Sequence, residues 1–150
     1  MIAKLVLGLF GLLLLIQFVP YGRNHANPPV LSEPAWNSPA TRQTFERVCN
    51  DCHSNQTKWP WYSHVAPASW FLQRHVDKGR AEFNVSRWGS GENEGDEASE
   101  NVRERKMPLR SYLWAHPEAR LDETERAAFA VGLAATFGEE RAHGHEVEDD

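Results

Sequence analysis

The stretch that most constrains this chain is Cys49-Asn50-Asp51-Cys52-His53. It holds the only two cysteines of the sequence, and a histidine directly follows the second. On a helix, positions i, i+3 and i+4 share one face, so both thiols and the imidazole can address one flat ligand. C-x-x-C-H is the attachment pattern of a c-type haem. The spacing therefore predicts one covalent haem c, with Cys49 and Cys52 as thioethers and His53 as the proximal iron ligand.

Other uses of a C-x-x-C pair fit this chain less well. A zinc site needs four ligands, and the sequence has no second cysteine pair to complete it. A thioredoxin-type redox pair needs a βαβ setting, and no alternating strand pattern with a hairpin turn is visible. Helical periodicity recurs instead. The sequence predicts an all-α domain around one covalent haem.

The N-terminal part is strongly apolar. From Leu5 to Gly22 no residue is charged, and these 18 residues would span roughly 27 Å as a helix. That length is near the thickness of a bilayer core. A cleaved signal peptide would have a shorter apolar region followed by a small-x-small site, and a buried core helix is the third alternative. We expect residues 1–22 to form a single transmembrane anchor, with the remainder on the periplasmic side of the cytoplasmic membrane.

Composition divides the rest of the chain. Residues 23–37 contain three prolines and predict an extended tether that lifts the haem domain off the membrane. The haem-binding domain is expected over residues 38–138, followed by a charged tail over residues 139–150. Ser38 and Pro39 are typical of a helix start, and we expect the haem motif to end that first helix.

Further helices are expected after the motif. Pro67 can open a second helix that ends with Gly79 at its C′ position. Residues 89–97 are rich in glycine and acid and predict a solvated loop, and a polar helix is expected over residues 98–106. After Met107-Pro108 a brief helical piece is expected. Then Asp122 and Glu125 form a capping box for the last helix, which runs to Gly138.

The iron's second axial ligand decides the chemistry of the site. Met107 is the only methionine besides Met1, and its thioether is a soft ligand that raises the potential of a haem c. Met107 is therefore the predicted distal ligand. The alternatives are one of three histidines or an open site. Those histidines are His64, His75 and His116.

An aromatic loop follows the motif and adds to a family resemblance. Trp59, Trp61 and Tyr62 are possible walls of the haem pocket. From Phe45 to Phe137 the chain resembles the bacterial cytochrome-c-like haem-binding domain family. The motifs that carry the resemblance are Cys49–His53, Trp59-Pro60-Trp61-Tyr62-Ser63, Val65-Ala66-Pro67, Ser69-Trp70, His75-Val76, Gly79-Arg80, Met107-Pro108, Tyr112 and His116-Pro117. The resemblance implies a cytochrome-c-like fold with one haem, often tethered by an N-terminal helix.

These features predict a membrane-anchored one-electron carrier, not an enzyme. Its expected partners are redox proteins of the membrane or periplasm, together with the membrane itself. A net charge of −5 gives no basic patch for nucleic acid. Two alternatives stay open. One is a haem enzyme, peroxidase-like or small-ligand-binding, with an open distal site; the other is a haem-stabilised sensory or assembly module.

Overall fold

The computed structural model describes residues 1–89 and 95–138, and this part of the chain is helical. No strand occurs in it, and its only β-type pairing is an isolated bridge between Ser32 and Arg87. The all-α prediction is confirmed for these residues. The α-helices are α1 (Ile2–Ile16), α2 (Pro39–Val48), α3 (Asn50–His53), α4 (Ala68–Glu82), α5 (Ala98–Arg103), α6 (Arg110–Ala115) and α7 (Glu123–Phe137). Short 3₁₀ turns lie at Trp61–His64, Gly95–Glu97 and Pro117–Ala119.

The chain divides into two compact units. Unit 1 comprises residues 1–33 and 49–91, and unit 2 comprises residues 34–48 and 92–150. The haem motif belongs to unit 1, together with α1 and α4. Helix α2 and helices α5 to α7 belong to unit 2.

Helix α1 is apolar and none of its 15 residues is buried. The residues that follow its last turn are fixed to the rest of unit 1. The side-chain amide of Gln17 donates to the carbonyl of Ala66 at 2.9 Å and accepts from the Ala66 N–H at 3.0 Å. Gly22 has a φ of +77° and touches the backbone of α4, since a Cβ on it would lie 2.4 Å from the Ser69 oxygen. Glycine is required there for both reasons.

To cross a membrane, a helix must be long as well as apolar. Among the helices of residues 1–89 and 95–138, none is long and apolar enough to cross a membrane.

The segment predicted to be a tether forms no helix or strand, and as far as Glu33 it is packed along unit 1. The ring of His25 is hydrogen-bonded to the Ser63 carbonyl at 3.0 Å, and the Asn27 amide donates to the Thr57 carbonyl at 2.9 Å. Ser32 donates its hydroxyl to Trp88 at 2.6 Å. Side-chain hydrogen bonds of this kind leave little of the segment free to act as a spacer.

Two helix boundaries of the sequence prediction are wrong. Helix α2 begins at Pro39 as expected, with Ser38 Oγ accepting the Thr41 N–H at 3.1 Å, but it ends at Val48, before the haem motif. Helix α4 follows Pro67 as expected, but it runs on to Glu82, so Gly79 lies inside it and not at its end.

Unit 2 is built on α7. Phe45, Phe129 and Leu133 are almost fully buried, and the rings of Trp36 and Phe137 close one end of the cluster around Phe45 at 5.1 and 6.1 Å.

Helix α5 ends at Arg103, three residues before the predicted end. Of the acidic loop predicted over residues 89–97, residues 90–94 lie outside the described residues, as does the charged tail predicted over residues 139–150.

The predicted capping box at the start of α7 is confirmed. Asp122 accepts the Glu125 N–H at 2.8 Å, and Glu125 accepts the Asp122 N–H at 3.4 Å. Each bond satisfies a backbone donor that the helix itself leaves unpaired. At the other end, Gly138 has a φ of +95° and donates its N–H to the Ala134 carbonyl at 2.9 Å.

Replacing Asp122 by alanine should lower the free energy of unfolding by about 1 kcal/mol, because the first turn of α7 loses its cap. Thr124→Ala, two positions later on the same exposed turn, is the matched control and should change stability by less than about 0.5 kcal/mol. Urea denaturation followed by circular dichroism measures both. Equal effects of the two substitutions would contradict the capping role.

Candidate haem site

The haem motif forms its own helical turn. Cys49 stands at the N-cap of α3 with φ −121° and ψ −24°, outside the α-helical region, which is why α2 does not continue through it. The Cys49 carbonyl accepts the N–H groups of Cys52 at 3.2 Å and His53 at 3.0 Å. This single turn keeps the i, i+3 and i+4 relation on which the sequence prediction depends.

Both cysteines are free and half-buried. Burial raises the pKa of the Cys49 thiol well above its usual range, and a negative charge on Cys52 would raise it further. Burial and then Asp51 raise the pKa of Cys52 to about 11. Both groups are therefore neutral thiols at pH 7. Redox-active C-x-x-C pairs depend on a lowered thiol pKa, so this pair does not have their electrostatics.

His53 is buried and oriented by the backbone that follows α4. Its side chain stacks on the Phe83 ring at 4.1 Å with 19° between the planes, and its Nδ1 lies 3.3 Å from the Phe83 carbonyl oxygen. A carbonyl can only accept, so Nδ1 carries the proton and Nε2 keeps its lone pair. Burial lowers the pKa of His53 and favours the neutral imidazole, which is the form that binds a metal.

A buried polar network attaches the residues that follow α4 to the haem motif, Cys49–His53, and to Asn55 just after it. Val85 donates its N–H to the His53 carbonyl at 2.9 Å, and the Asn55 N–H donates to Ser86 Oγ at 3.0 Å. The Asn84 amide donates to Asn55 Oδ1 at 2.8 Å and accepts the Ser86 N–H at 2.9 Å. Satisfied buried networks of this kind fix one arrangement, since breaking any member leaves another unpaired. The network thus holds the Phe83 carbonyl within hydrogen-bonding distance of His53 Nδ1.

Helix α4 passes the motif at backbone distance. A Cβ on Gly79 would lie 2.5 Å from the Cys52 oxygen and 3.0 Å from its carbonyl carbon. Only glycine permits this approach, which explains why the residue is inside the helix despite its low helix propensity. The sequence prediction gave it the commoner role of a helix end.

Arg80, the next residue, connects three segments of unit 1. Its Nε donates to the Ser54 carbonyl at 2.8 Å, and Nη2 donates to Thr57 Oγ1 at 3.0 Å. The same guanidinium reaches the extended N-terminal segment, donating to the Ala26 carbonyl at 3.1 Å and to Asn27 Oδ1 at 3.0 Å. One side chain therefore fixes the turn after the haem motif to the residues that follow α1.

The predicted pocket aromatics differ in exposure. Trp59 is half-buried and stacks on the His25 ring at 4.5 Å with 20° between the planes. Tyr62 is half-buried as well. Trp61 is 79% exposed and touches Tyr62 edge-on at 5.8 Å, so it lies on the surface of unit 1. A pocket role stays a prediction for all three.

Met107 belongs to unit 2. It is half-buried after the end of α5, and its N–H donates to the Asn101 carbonyl at 3.0 Å. The neighbouring Arg105 has a φ of +59°, so the chain turns sharply just before the methionine. Because His53 belongs to unit 1, the assignment of Met107 as the distal ligand stays a prediction from sequence.

The three alternative histidines each have a partner within their own unit. His64 is exposed and touches His25 edge-on at 4.3 Å. His75 Nδ1 lies 2.7 Å from the Phe71 carbonyl. His116 stacks on the Tyr112 ring at 4.1 Å and lies 3.0 Å from a carboxylate oxygen of Glu118.

The residues of unit 1 fit a haem. Two free thiols and one buried imidazole whose pKa is lowered by burial lie on a single turn. Four buried polar atoms of unit 1 have no partner among the described residues: three donors, Trp59 Nε1, Trp70 Nε1 and Ser69 Oγ, and the acceptor Gln73 Oε1. Indole N–H and hydroxyl groups can donate hydrogen bonds to the carboxylates of a haem. The described residues hold no cluster of three or more His, Cys, Asp or Glu that could bind a metal ion directly.

A helical described region with two free thiols and an imidazole on one turn is typical of a haem protein, and the comparison with known families agrees. The family model described as haem-binding domain matches residues 11–135. The chain therefore belongs to the haem-binding domain family, and haem is its cofactor. Searches of curated proteins and of solved structures return no match.

Sequence reasoning missed several residues that support the site. Phe83, Asn84 and Ser86 had no local signal, because their role depends on contacts with residues about 30 positions earlier. Arg80 belongs to a motif of the family resemblance, but its hydrogen-bond partners lie 23 to 54 positions earlier, where local sequence carries no signal for them.

Gly79→Ala should lower the free energy of unfolding by about 1–3 kcal/mol, because the new Cβ meets backbone that cannot move aside. It should also reduce haem incorporation, measured by the Soret absorbance per polypeptide. Gly11→Ala in α1 is the matched control, because no atom lies within 4 Å of the Cβ that it adds. A fully loaded, equally stable Gly79→Ala protein would contradict the close contact.

Proposed function

We propose that this protein is a membrane-attached monohaem c-type cytochrome that carries single electrons between redox proteins on the periplasmic side. The observation that carries the proposal is the turn Cys49–His53, with two neutral thiols and an imidazole whose Nδ1 faces the Phe83 carbonyl. Two thiols on one turn are suited to two thioether bonds. A fixed imidazole tautomer is suited to axial ligation of iron.

The bound haem iron would supply a one-electron couple. The role of the chain is to hold the group and set its environment. The hydrogen bond from Nδ1 to Phe83 increases the donor strength of His53, which favours the oxidised state. His53 is itself only 8% exposed, so water has little access to its imidazole. If the Met107 thioether is the second iron ligand, as the sequence predicts, it would favour the reduced state.

Membrane attachment is the second part of the proposal. Fifteen consecutive residues of α1 are unburied, and their large apolar side chains are mostly half or more exposed. A surface of this size and composition is unstable in water and is typical of membrane or protein contact. We favour a lipid environment because apolar residues cover every face of α1, whereas a helix that packs on a protein keeps one polar face.

Covalent attachment should be visible after denaturation. The haem of the wild-type protein should stay with the polypeptide through acid–organic extraction, because two thioethers hold it. Cys49→Ala and Cys52→Ala should each weaken retention, and the double variant should lose all of it while still binding extractable haem through His53. Asn50→Ala, between the cysteines, is the control that keeps both thioethers. Complete extraction of haem from the wild type would contradict the c-type assignment.

Met107→Ala tests the electron-transfer part. The ferric wild type should show the weak far-red charge-transfer band of methionine-ligated haem c, and the variant should lose it. The midpoint potential should fall by on the order of 0.1 V, a fraction of the roughly 0.8 V over which axial ligands tune haem. Covalent haem should remain.

Leu109→Ala, two positions further and also half-buried, is the control for this test. It should leave the band and the potential unchanged. If Met107→Ala leaves both unchanged as well, the ligand is one of the three histidines or the site is open. A high-spin ferric wild type would instead favour the enzyme alternative.

A further inference from the structure

Six large apolar side chains of unit 1 are exposed around the end of α1. They are Phe18 (84%), Val19 (43%), Tyr21 (48%), Trp61 (79%), Val65 (44%) and Phe71 (53%). The first three follow α1 directly. The others flank Ala66 and Ser69, the two residues to which the end of α1 is attached. Sequence position alone does not bring these two groups together; the attachment of α1 does.

The connection between α1 and the rest of unit 1 is rigid. Two hydrogen bonds join Gln17 to the backbone of Ala66, and Gly22 meets the backbone of Ser69 without room for a Cβ. Arg23 donates to the carbonyl and, at 3.3 Å, to the side-chain oxygen of Gln17, capping the last turn of α1. Trp61, Val65 and Phe71 therefore keep a fixed position relative to the end of the apolar helix.

Charge distinguishes this unit from the chain as a whole. Outside α1, the described residues of unit 1 carry six Lys and Arg side chains against four Asp and Glu, although the complete chain has 16 against 21. The excess of acid thus lies elsewhere in the sequence. A unit with net positive charge and exposed aromatic side chains is suited to a surface of anionic lipid.

We propose that these six side chains rest in the interfacial layer of a lipid bilayer, so that unit 1 sits directly on the membrane surface and is not held away from it by a spacer. The proposal depends on the membrane attachment of α1 proposed above. Gln17 marks the level at which the apolar helix ends, and aromatic side chains near this level are typical of the membrane–water interface. The packed course of residues 23–33 agrees, because a segment bound to unit 1 cannot extend as a tether.

Hydroxyl-radical footprinting of the full-length haem-loaded protein tests the proposal. The protein is placed in nanodiscs of phosphatidylethanolamine and phosphatidylglycerol, one chain per disc, which excludes a second copy as the cover. The oxidation rate of each residue is divided by its rate in the denatured chain. Leu31 is the matched control: it is 69% exposed in the same unit and pairs with Ser86, beyond the other end of α4.

Trp61 and Phe71 should be protected severalfold more than Leu31, although their exposure in the protein alone is similar. Phe10 in α1, 59% exposed, reports separately on membrane attachment. If Phe10 is protected while Trp61 and Phe71 react like Leu31, the membrane attachment stands and the surface contact is wrong. If Phe10 reacts freely or the chain does not enter the discs, both proposals fail.

A double variant, Trp61→Ala with Phe71→Ala, checks that the patch acts as one surface. Both side chains are more than half exposed, so the fold should tolerate their removal. The variant should stay in the discs through α1, and Val65 should lose its protection. Leu31→Ala is the control and should leave Val65 protected. Unchanged protection of Val65 in the double variant would overturn the proposal.

Discussion

The close contact between Gly79 and the backbone of Cys52 fixes the position of α4 against the haem motif, Cys49–His53, which we also call the haem turn. Because the two backbones touch, α4 cannot shift or rotate along the motif without a clash. One turn later, Phe83 caps the end of the same helix: its N–H donates to the Gly79 carbonyl at 3.2 Å, and its own carbonyl faces His53 Nδ1. The tautomer of His53 therefore depends on Gly79, which lies four residues before the carbonyl that accepts its hydrogen bond.

The features that sequence could predict are those with local causes. The start of α2 at Ser38 and Pro39 and the capping box at Asp122 are set by side chains within one turn, so their patterns are informative. The motif from Cys49 to His53 is local as well. Gly79 shows the limit. A glycine late in a helical pattern most often ends the helix, and only its contact with a residue 27 positions earlier makes it an interior residue.

Residues 23–37 show a second limit. Their prolines predict an extended tether, and the segment forms no helix or strand, but composition does not tell whether such a chain is free or packed. The packing depends on donors contributed by distant residues. Arg80 supplies two of them, to Ala26 and Asn27, and Asn27 in turn donates to Thr57. Each proline removes one backbone donor from the segment, so side-chain partners of this kind help to decide its course.

Helix α4 connects the residues that follow α1 to the haem motif. Its first turn holds Ser69, against which Gly22 packs just after α1, and its later turns hold Gly79 and Arg80, which contact the haem turn. From Ser69 to Gly79 a helix rises about 15 Å. If unit 1 rests on the membrane as proposed, this helix sets an upper limit of that order on the height of the haem turn above the interface. Electron partners would then have to approach close to the lipid surface, which favours membrane-bound redox proteins over freely diffusing ones.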